Sequence, residues 1–383
     1  MLRYILGRTL QMVLTFGLFV VLTYVLLEAQ PGDYSQTFID NPRLTPAQRE
    51  ALERNFGLDE PPHVRFTKYI GNLLRGDLGI SYQYYPKPVT EVIAERAPRT
   101  LVLFITSTIV SFYVGFLAGK ILAWQRGRAL EYVITLGGAT LFTVFLPWFA
   151  LLMLWLFAYT LDWFPIGKFI SPQLWRTAPV EANVVFNNLL LTAFVGSVVM
   201  LAITVATRRR TPRIRTLARW GGFALLLGVT VAVWAWSGLG PYATDMLWHI
   251  ILPVLTLTLV NFAGTMLLTR NSMLETLRED YITTARAKGL PERVIRDRHA
   301  ARNALLPVVT TLVFALATAL GGGIITENIF SWPGMGEALL ISAQTSDIPT
   351  AMGCVLVVGI LALVAHLVVD VLYAFLDPRI RYA

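Results

Sequence analysis

Four histidines, at positions 63, 249, 299 and 366, and one cysteine, Cys354, are the side chains best suited to metal, proton or nucleophilic chemistry in this sequence. None of the histidines has a partner at the His-Glu-x-x-His spacing that turns two imidazoles toward one metal, and no serine stands in a nucleophile-elbow motif. A single cysteine excludes an internal disulfide and a multi-cysteine metal site. His366 and Asp370 lie four residues apart inside an apolar run, on one helical face. They could relay a proton there, or hydrogen-bond to neighbouring helices. Gly115 to Lys120 comes nearest to a phosphate-binding loop, but it is one residue short between its glycines and is followed by Ile121 instead of Ser or Thr. Ser111, Gly115 and Gly119, at i+4 spacing, read better as a close helix-packing face. The sequence therefore predicts no catalytic residue, no metal site and no cofactor held by this chain, which is not read as an enzyme.

His249, Cys354, His366 and the Ser111 to Lys120 segment sit in apolar elements. The 383 residues are 55% hydrophobic and 15% charged, whereas a soluble domain carries roughly 25% charged residues. A hydrocarbon core about 30 Å thick requires roughly 20 apolar residues in a helix, because backbone polar groups must be satisfied within the segment. Eight stretches qualify: Leu10 to Leu27, Thr100 to Leu122, Val133 to Tyr159, Val184 to Thr207, Leu217 to Trp236, Met246 to Leu268, Ala304 to Thr326 and Ala351 to Phe375. The first is preceded by Arg3 and Arg8, but its apolar run exceeds that of a signal peptide and its Leu27-Glu28-Ala29-Gln30 end lacks a small-x-small cleavage pattern. A retained helix is expected. The fold class is thus all-α, an integral membrane bundle of about eight transmembrane helices.

The expected organisation is an N-terminal helix (1–30), an external cap (31–99), two transmembrane helices (100–170), a transmembrane hairpin (171–245) and a helical core (246–383) with a loop at 270–303. The net charge of +8 does not indicate nucleic acid, because the basic residues fall between apolar runs and face an anionic lipid surface instead. Lys and Arg resist translocation. With the N-terminus inside, 21 of the 32 basic residues lie in cytoplasmic segments, which places both termini in the cytoplasm. Within the cap, Thr45 is positioned to cap a short helix of Pro46 to Arg54. Lys68 to Leu78 carries Tyr69, Ile70, Leu73 and Leu74 at helical spacing and should lie flat on the membrane or the bundle.

The loop at 270–303 is too long for a turn between spans and is full of ordered-structure signals. Asp280 is expected to cap a helix of Tyr281 to Lys288, with Arg286 and Lys288 in the last turn where the helix dipole favours cations. Gly289 supplies a left-handed cap, and Pro291 stops this helix and opens a second that runs to about Asn303. Small residues at Ala285, Ala287 and Gly289 leave the tip uncovered, so another protein's surface could approach its backbone. The same pattern also fits an ordinary amphipathic loop on a membrane surface.

At these residues the sequence resembles the permease subunits of ABC importers, whose cytoplasmic loop reads Glu-Ala-Ala, three residues, then Gly. The matching segment is Thr283-Thr284-Ala285-Arg286-Ala287-Lys288-Gly289, in which Thr283 and Thr284 depart from the pattern. Tyr281 to Leu290, followed by His299 to Pro307, is similar to the dipeptide/oligopeptide branch. So are Pro31-Gly32-Asp33, Gly57-Leu58-Asp59, Arg75-Gly76-Asp77-Leu78-Gly79, Ile325 to Gly336 and Asp377-Pro378-Arg379-Ile380-Arg381, which look like that family's first permease subunit. The likeness lapses from about Ser171 to Thr244, where two spans joined by the basic Thr207 to Arg213 segment look inserted into a usual six-span plan.

The resemblance implies a type I ABC importer transmembrane domain in a prokaryotic inner (plasma) membrane. Its implied partners are a homologous second permease, two ATP-binding subunits that hold ATP and Mg, an external substrate-binding protein and membrane lipids. Coupling to the ATPase is expected through Thr284, Ala285, Arg286, Ala287, Lys288, Gly289 and Leu290. The solute is open among dipeptides, oligopeptides, metal chelates and oligosaccharides. A proton-coupled secondary transporter built on His366 and Asp370 is the alternative.

Overall fold

The computed structural model describes residues 2–29, 60–125, 127–319 and 323–376. The expected cap helix at Pro46 to Arg54 and the matching segments at 31–33, 57–59 and 377–381 lie outside the described residues. Among those described, no strand forms, in agreement with the all-α expectation. The helices are α1 (Leu2–Glu28), α2 (Pro62–Leu73), α3 (Val89–Trp124), α4 (Ala129–Thr143) and α5 (Leu146–Met153), the last continuing as a π-helical stretch, Leu154–Thr160. Then come α6 (Pro172–Trp175), α7 (Ala182–Ala206), α8 (Pro212–Trp236), α9 (Gly240–Thr276) and α10 (Asp280–Ala287). A short α11 (Glu292–Val294) passes through a π-helical stretch, Ile295–Ala300, into α12 (Ala301–Ala319), followed by α13 (Ile324–Ile329), α14 (Met335–Gln344) and α15 (Ile348–Leu376). Seven of the described helices are long and apolar enough to cross a bilayer, and the bent pair α4 and α5 makes an eighth if it is one span.

Three spans differ from the expectation. The third breaks: Ala129–Thr143 and Leu146–Thr160 meet at 107°. Pro147 explains the break, since it has no N–H for the carbonyl of Thr143 and its ring would clash there; Val144 is accordingly extended (ψ 138°). The second begins at Val89, not Thr100. Its first turns carry Glu91, Glu95, Arg96 and Arg99, which read as loop in the sequence but are paired in the fold: Lys87 Nζ lies 2.8 Å from Glu95 Oε1, and Arg96 Nη1 lies 2.5 Å from Glu337 Oε2. The seventh helix is described to Ala319, short of Thr326, and Thr326 belongs to the separate α13.

The chain forms two compact units, Met1–Leu152 with Pro253–Ala383, and Met153–Leu252. In the first, α1 packs on α15 through Val20, Tyr24, Met352 and Leu356. Phe66, Tyr69, Ile70 and Leu73 of α2 lie against that cluster, so this amphipathic segment rests on the bundle. Leu74, expected on the same stripe, is 83% exposed because α2 ends at Leu73. Inside a bilayer such contacts stabilise by close packing more than by water exclusion, which favours small residues at crossings. Gly115 and Gly119 show this on α3: a Cβ at Gly115 would stand 2.6 Å from the backbone oxygen of Phe262 on α9, and Gly119 meets Met266 and Thr269 as closely. The Gly115 to Lys120 segment is therefore a helix-packing face within a continuous helix, not a phosphate loop.

The second unit contains α7 and α8 packed as a hairpin, with Ile203 against Gly222. Asp245, near the start of α9, receives hydrogen bonds from Ser171 N (3.0 Å), Ser171 Oγ (2.6 Å) and Trp175 Nε1 (2.8 Å), fixing the preceding segment to this helix. Buried His249 sits one turn on, its Nδ1 2.7 Å from the Asp245 carbonyl oxygen.

Candidate functional site

The 270–303 segment folds into a short helix, a sharp turn and a second helix. At the end of α10, Gly289 adopts φ +73°. Its N–H donates to the Arg286 carbonyl at 2.9 Å, while the Leu290 N–H donates to the Ala285 carbonyl at 3.3 Å. This pair is the Schellman arrangement, which satisfies two of the carbonyls a helix end leaves open and needs a residue without Cβ strain at the left-handed position. Pro291 follows as the N-cap residue of α11, at φ −58°. Asp280 is the first helical residue and not the cap; Glu279 holds that place without a side-chain capping bond. Asp280 still opposes the positive helix end, and Arg286 lies in the last turn as the dipole favours. The second helix does not stop at Asn303 but runs on through α12.

The base of this hairpin is buried. Ile282, Ala285, Ile295, Ala300, Ala301 and Ala304 form one cluster with Ala123 of α3 and Met273 of α9. Polar contacts lock the same junction: Lys120 Nζ is 3.2 Å from Asp297 Oδ1, Ser272 Oγ donates to the Ala304 carbonyl at 3.1 Å, and Asn303 Nδ2 donates to Tyr281 Oη at 2.7 Å. At the end of α9, Arg270 donates through Nε (2.8 Å) and Nη2 to Oε1 of buried Glu131, whose Oε2 accepts the Gly127 N–H at 2.6 Å. The hairpin is tied to the long helices α3 and α9, and movement of its tip must be carried by those helices or break these contacts.

Of the residues expected in the contact, Thr284, Arg286, Ala287, Lys288, Gly289 and Leu290 are exposed at or beside the tip. Ala285 is not: only 6% exposed, it faces the base cluster, where its small size lets α10 sit close to α3 and α9. Nothing lies within 4 Å of the position a Cβ at Gly289 would take, so the tip backbone is open to another surface.

Between α3, α9 and α12 the structure has a cavity of about 440 Å³ that the sequence reading did not identify. Ser107, Thr108, Ser111, Asn261, Thr265 and Thr311 line it together with Phe104, Phe112 and Leu257, and no charged residue among those described does. Ser107 Oγ and Thr311 Oγ1 donate to carbonyls of their own helices, at 3.0 and 2.9 Å. Their free lone pairs therefore present acceptors to the cavity. The signal was available: polar residues recur at i, i+4 in two apolar spans, at Ser107 and Ser111 and at Asn261 and Thr265.

At the other end of this unit, fully buried Glu327 clasps α14 to α3. Its carboxylate accepts from Thr100 Oγ1 (2.7 Å), Gly336 N (2.7 Å) and Glu337 N (3.0 Å), and Thr100 Oγ1 in turn accepts the Met335 N–H at 2.7 Å. Burial pushes the Glu327 carboxyl above the usual carboxylate range, against the pull of those donors. Trp332 Nε1 donates to the Arg99 carbonyl at 3.1 Å. These contacts explain Gly334 and Gly336, since a Cβ at Gly334 would stand 2.5 Å from the Glu327 carboxylate. His366 Nδ1 lies 2.9 Å from the Ala362 carbonyl of its own helix, and the side chain of Asp370 lies outside the described residues.

The family model for the binding-protein-dependent transport system inner membrane component matches residues 114–382, and that for the N-terminal part of the same membrane component matches residues 1–104. This chain belongs to that family. It is similar to the oligopeptide transport system permease protein of Bacillus subtilis, 30% identical over 100% of both chains. The di/tripeptide transport system permease protein of Pseudomonas aeruginosa is 32% identical over 100% of this chain and 99% of its own. The dipeptide transport system permease protein of Escherichia coli is likewise 32% identical, with the same shares covered. As a family member, the chain is an inner-membrane permease component of a transport system, with several apolar helices, and is not itself catalytic.

Proposed function

We propose that this chain is one of two pore-forming permease subunits of an ATP-driven importer for peptides, coupled to cytoplasmic ATPase subunits through the tip formed by Thr284 and Arg286 to Leu290. The observation that carries the reading is the 280–303 hairpin: an open, glycine-capped tip on a base buried against α3 and α9. A stiff protrusion of this kind suits transmission of force better than a loop lying on a lipid surface, which would need no such base. Full-length similarity to permeases named for di-, tri- and oligopeptide transport supports peptides as the solute. On this reading the ATPases bind ATP and Mg, an external binding protein delivers the peptide, both termini are cytoplasmic, and a homologous second permease completes the pore.

The uncharged cavity between α3, α9 and α12 belongs to the path. Hydroxyl and amide groups can exchange hydrogen bonds with peptide amides, and the absence of a fixed charge avoids trapping one kind of side chain. The test is uptake of a labelled peptide into proteoliposomes holding both permeases, both ATPases and the binding protein. Uptake is expected to require ATP and to survive a protonophore. Uptake driven by a pH gradient without ATP would establish the proton-coupled alternative.

A further inference from the structure

The α7–α8 hairpin ends in six arginines, Arg208, Arg209, Arg210, Arg213, Arg215 and Arg219, and no acidic residue occurs anywhere in 182–244. None of the six takes part in a salt bridge among the described residues, whereas Arg270, Arg286, Arg293 and Arg296 of the 270–303 segment do. Arg215 and Arg219 stand one turn apart on α8, where like charges repel across about 5–6 Å unless an anion lies between them. The Nε of Arg219 is buried and has no acceptor among the described residues. The repulsion and this unmatched donor both call for an anion from outside the chain.

The depth of these groups identifies the anion. Each helix of the hairpin has 25 residues, about 37 Å of rise against a hydrocarbon core of about 30 Å, so one end of α8 must emerge into the headgroup layer. From Trp220 to Trp236 the helix carries no charge, roughly 24 Å of rise. This places Arg219 and the 69%-exposed Trp220 at the boundary where tryptophan side chains and phosphates meet. The most apolar 18-residue window of each helix is 0% buried within the chain, so the hairpin's flanks are available to lipid.

We propose that Arg215 and Arg219, supported by the four arginines of the turn, bind the headgroup phosphate of an anionic phospholipid. The full-length protein in micelles of neutral detergent is titrated with brominated phosphatidylglycerol or brominated phosphatidylcholine, and quenching of tryptophan fluorescence is followed. Preferential quenching by the anionic lipid is expected, and Trp220→Phe should remove it, assigning the signal to this site. Arg215→Gln with Arg219→Gln should raise the half-quenching mole fraction of phosphatidylglycerol about 25-fold, at about fivefold per arginine. Equal quenching by both lipids would overturn the proposal. So would full reversal by millimolar inorganic phosphate, which would identify a soluble anion as the ligand. If the double variant kept its lipid preference but lost binding of purified ATPase subunits, the arginines would serve a protein partner instead, and the proposal would fail.

Discussion

Two hairpins of this chain carry clusters of arginine at their tips, and they are built in opposite ways. In the 270–303 hairpin acidic partners are built in for several of the charges: Glu131 for Arg270, Glu292 for Arg286, and Asp297 for Lys120 and Arg296. The core beneath them is apolar and closed. In the α7–α8 hairpin no acid is present and neither helix buries its most apolar window within the chain. A structure that must transmit displacement needs internal counter-charges, because its geometry has to persist whatever surrounds it. A structure that meets lipid can leave its charges to be balanced by the surroundings.

This contrast can be broken by substitution. The largest effect is expected at Arg270, since Arg270→Ala removes the guanidinium that meets the buried Glu131 carboxylate; a loss of about 3 kcal/mol follows. Thermal unfolding in detergent should show this loss, and adding Glu131→Ala should restore most of it. Without that recovery the pair does not act as a unit. Arg215→Ala on the other hairpin should move stability in neutral detergent by no more than about 0.5 kcal/mol.

The glycines sharpen the comparison, because the same geometry has different consequences. A Cβ at Gly115 or at Gly222 would meet a neighbour at 2.6 Å in either case, but the neighbour is the Phe262 backbone oxygen in the first and the Ile203 Cδ1 methyl in the second. A backbone cannot move aside without separating α3 from α9, whereas a methyl can change rotamer. Gly115→Ala should therefore lower stability by about 2 kcal/mol and Gly222→Ala by less than about 1 kcal/mol. Equal losses would mean that both helix pairs are equally constrained. A small effect is also expected from Lys120→Ala, which removes a partly exposed ion pair at 3.2 Å and should cost below about 1 kcal/mol. Its signature should be a weaker response of ATP hydrolysis to peptide-loaded binding protein, with the chain still folded.

Much of this architecture was legible from the sequence because a bilayer makes length and apolarity nearly sufficient to define a span. The Gly289-Leu290-Pro291 run announced its own turn, since few residues accept positive φ and Pro291 cannot continue a helix. Other features were hidden for specific reasons. Arg96 and Arg99 disguised the start of α3 because partners such as Glu337 and the Pro333 carbonyl lie far along the chain. Pro147 marked the break after Thr143 but stood inside an apolar run that looked continuous. Ala285 shares its small size with Ala287 and Gly289, and size alone does not distinguish an open tip from a close-packed base, where Ala285 lies. The cavity between α3, α9 and α12 depends on how three helices pack, and only the i, i+4 recurrence of polar residues pointed to it.

The central claim is that the Gly289 tip passes ATPase closure to the pore. Gly289→Val strains a residue held at φ +73° and adds bulk where the backbone of the turn is uncovered. Reconstituted with its partners, this variant should assemble and unfold at nearly the wild-type temperature, yet lose both ATP-dependent peptide uptake and the stimulation of ATP hydrolysis by peptide-loaded binding protein. Wild-type uptake and stimulation in Gly289→Val would contradict the assignment of this hairpin as the coupling site.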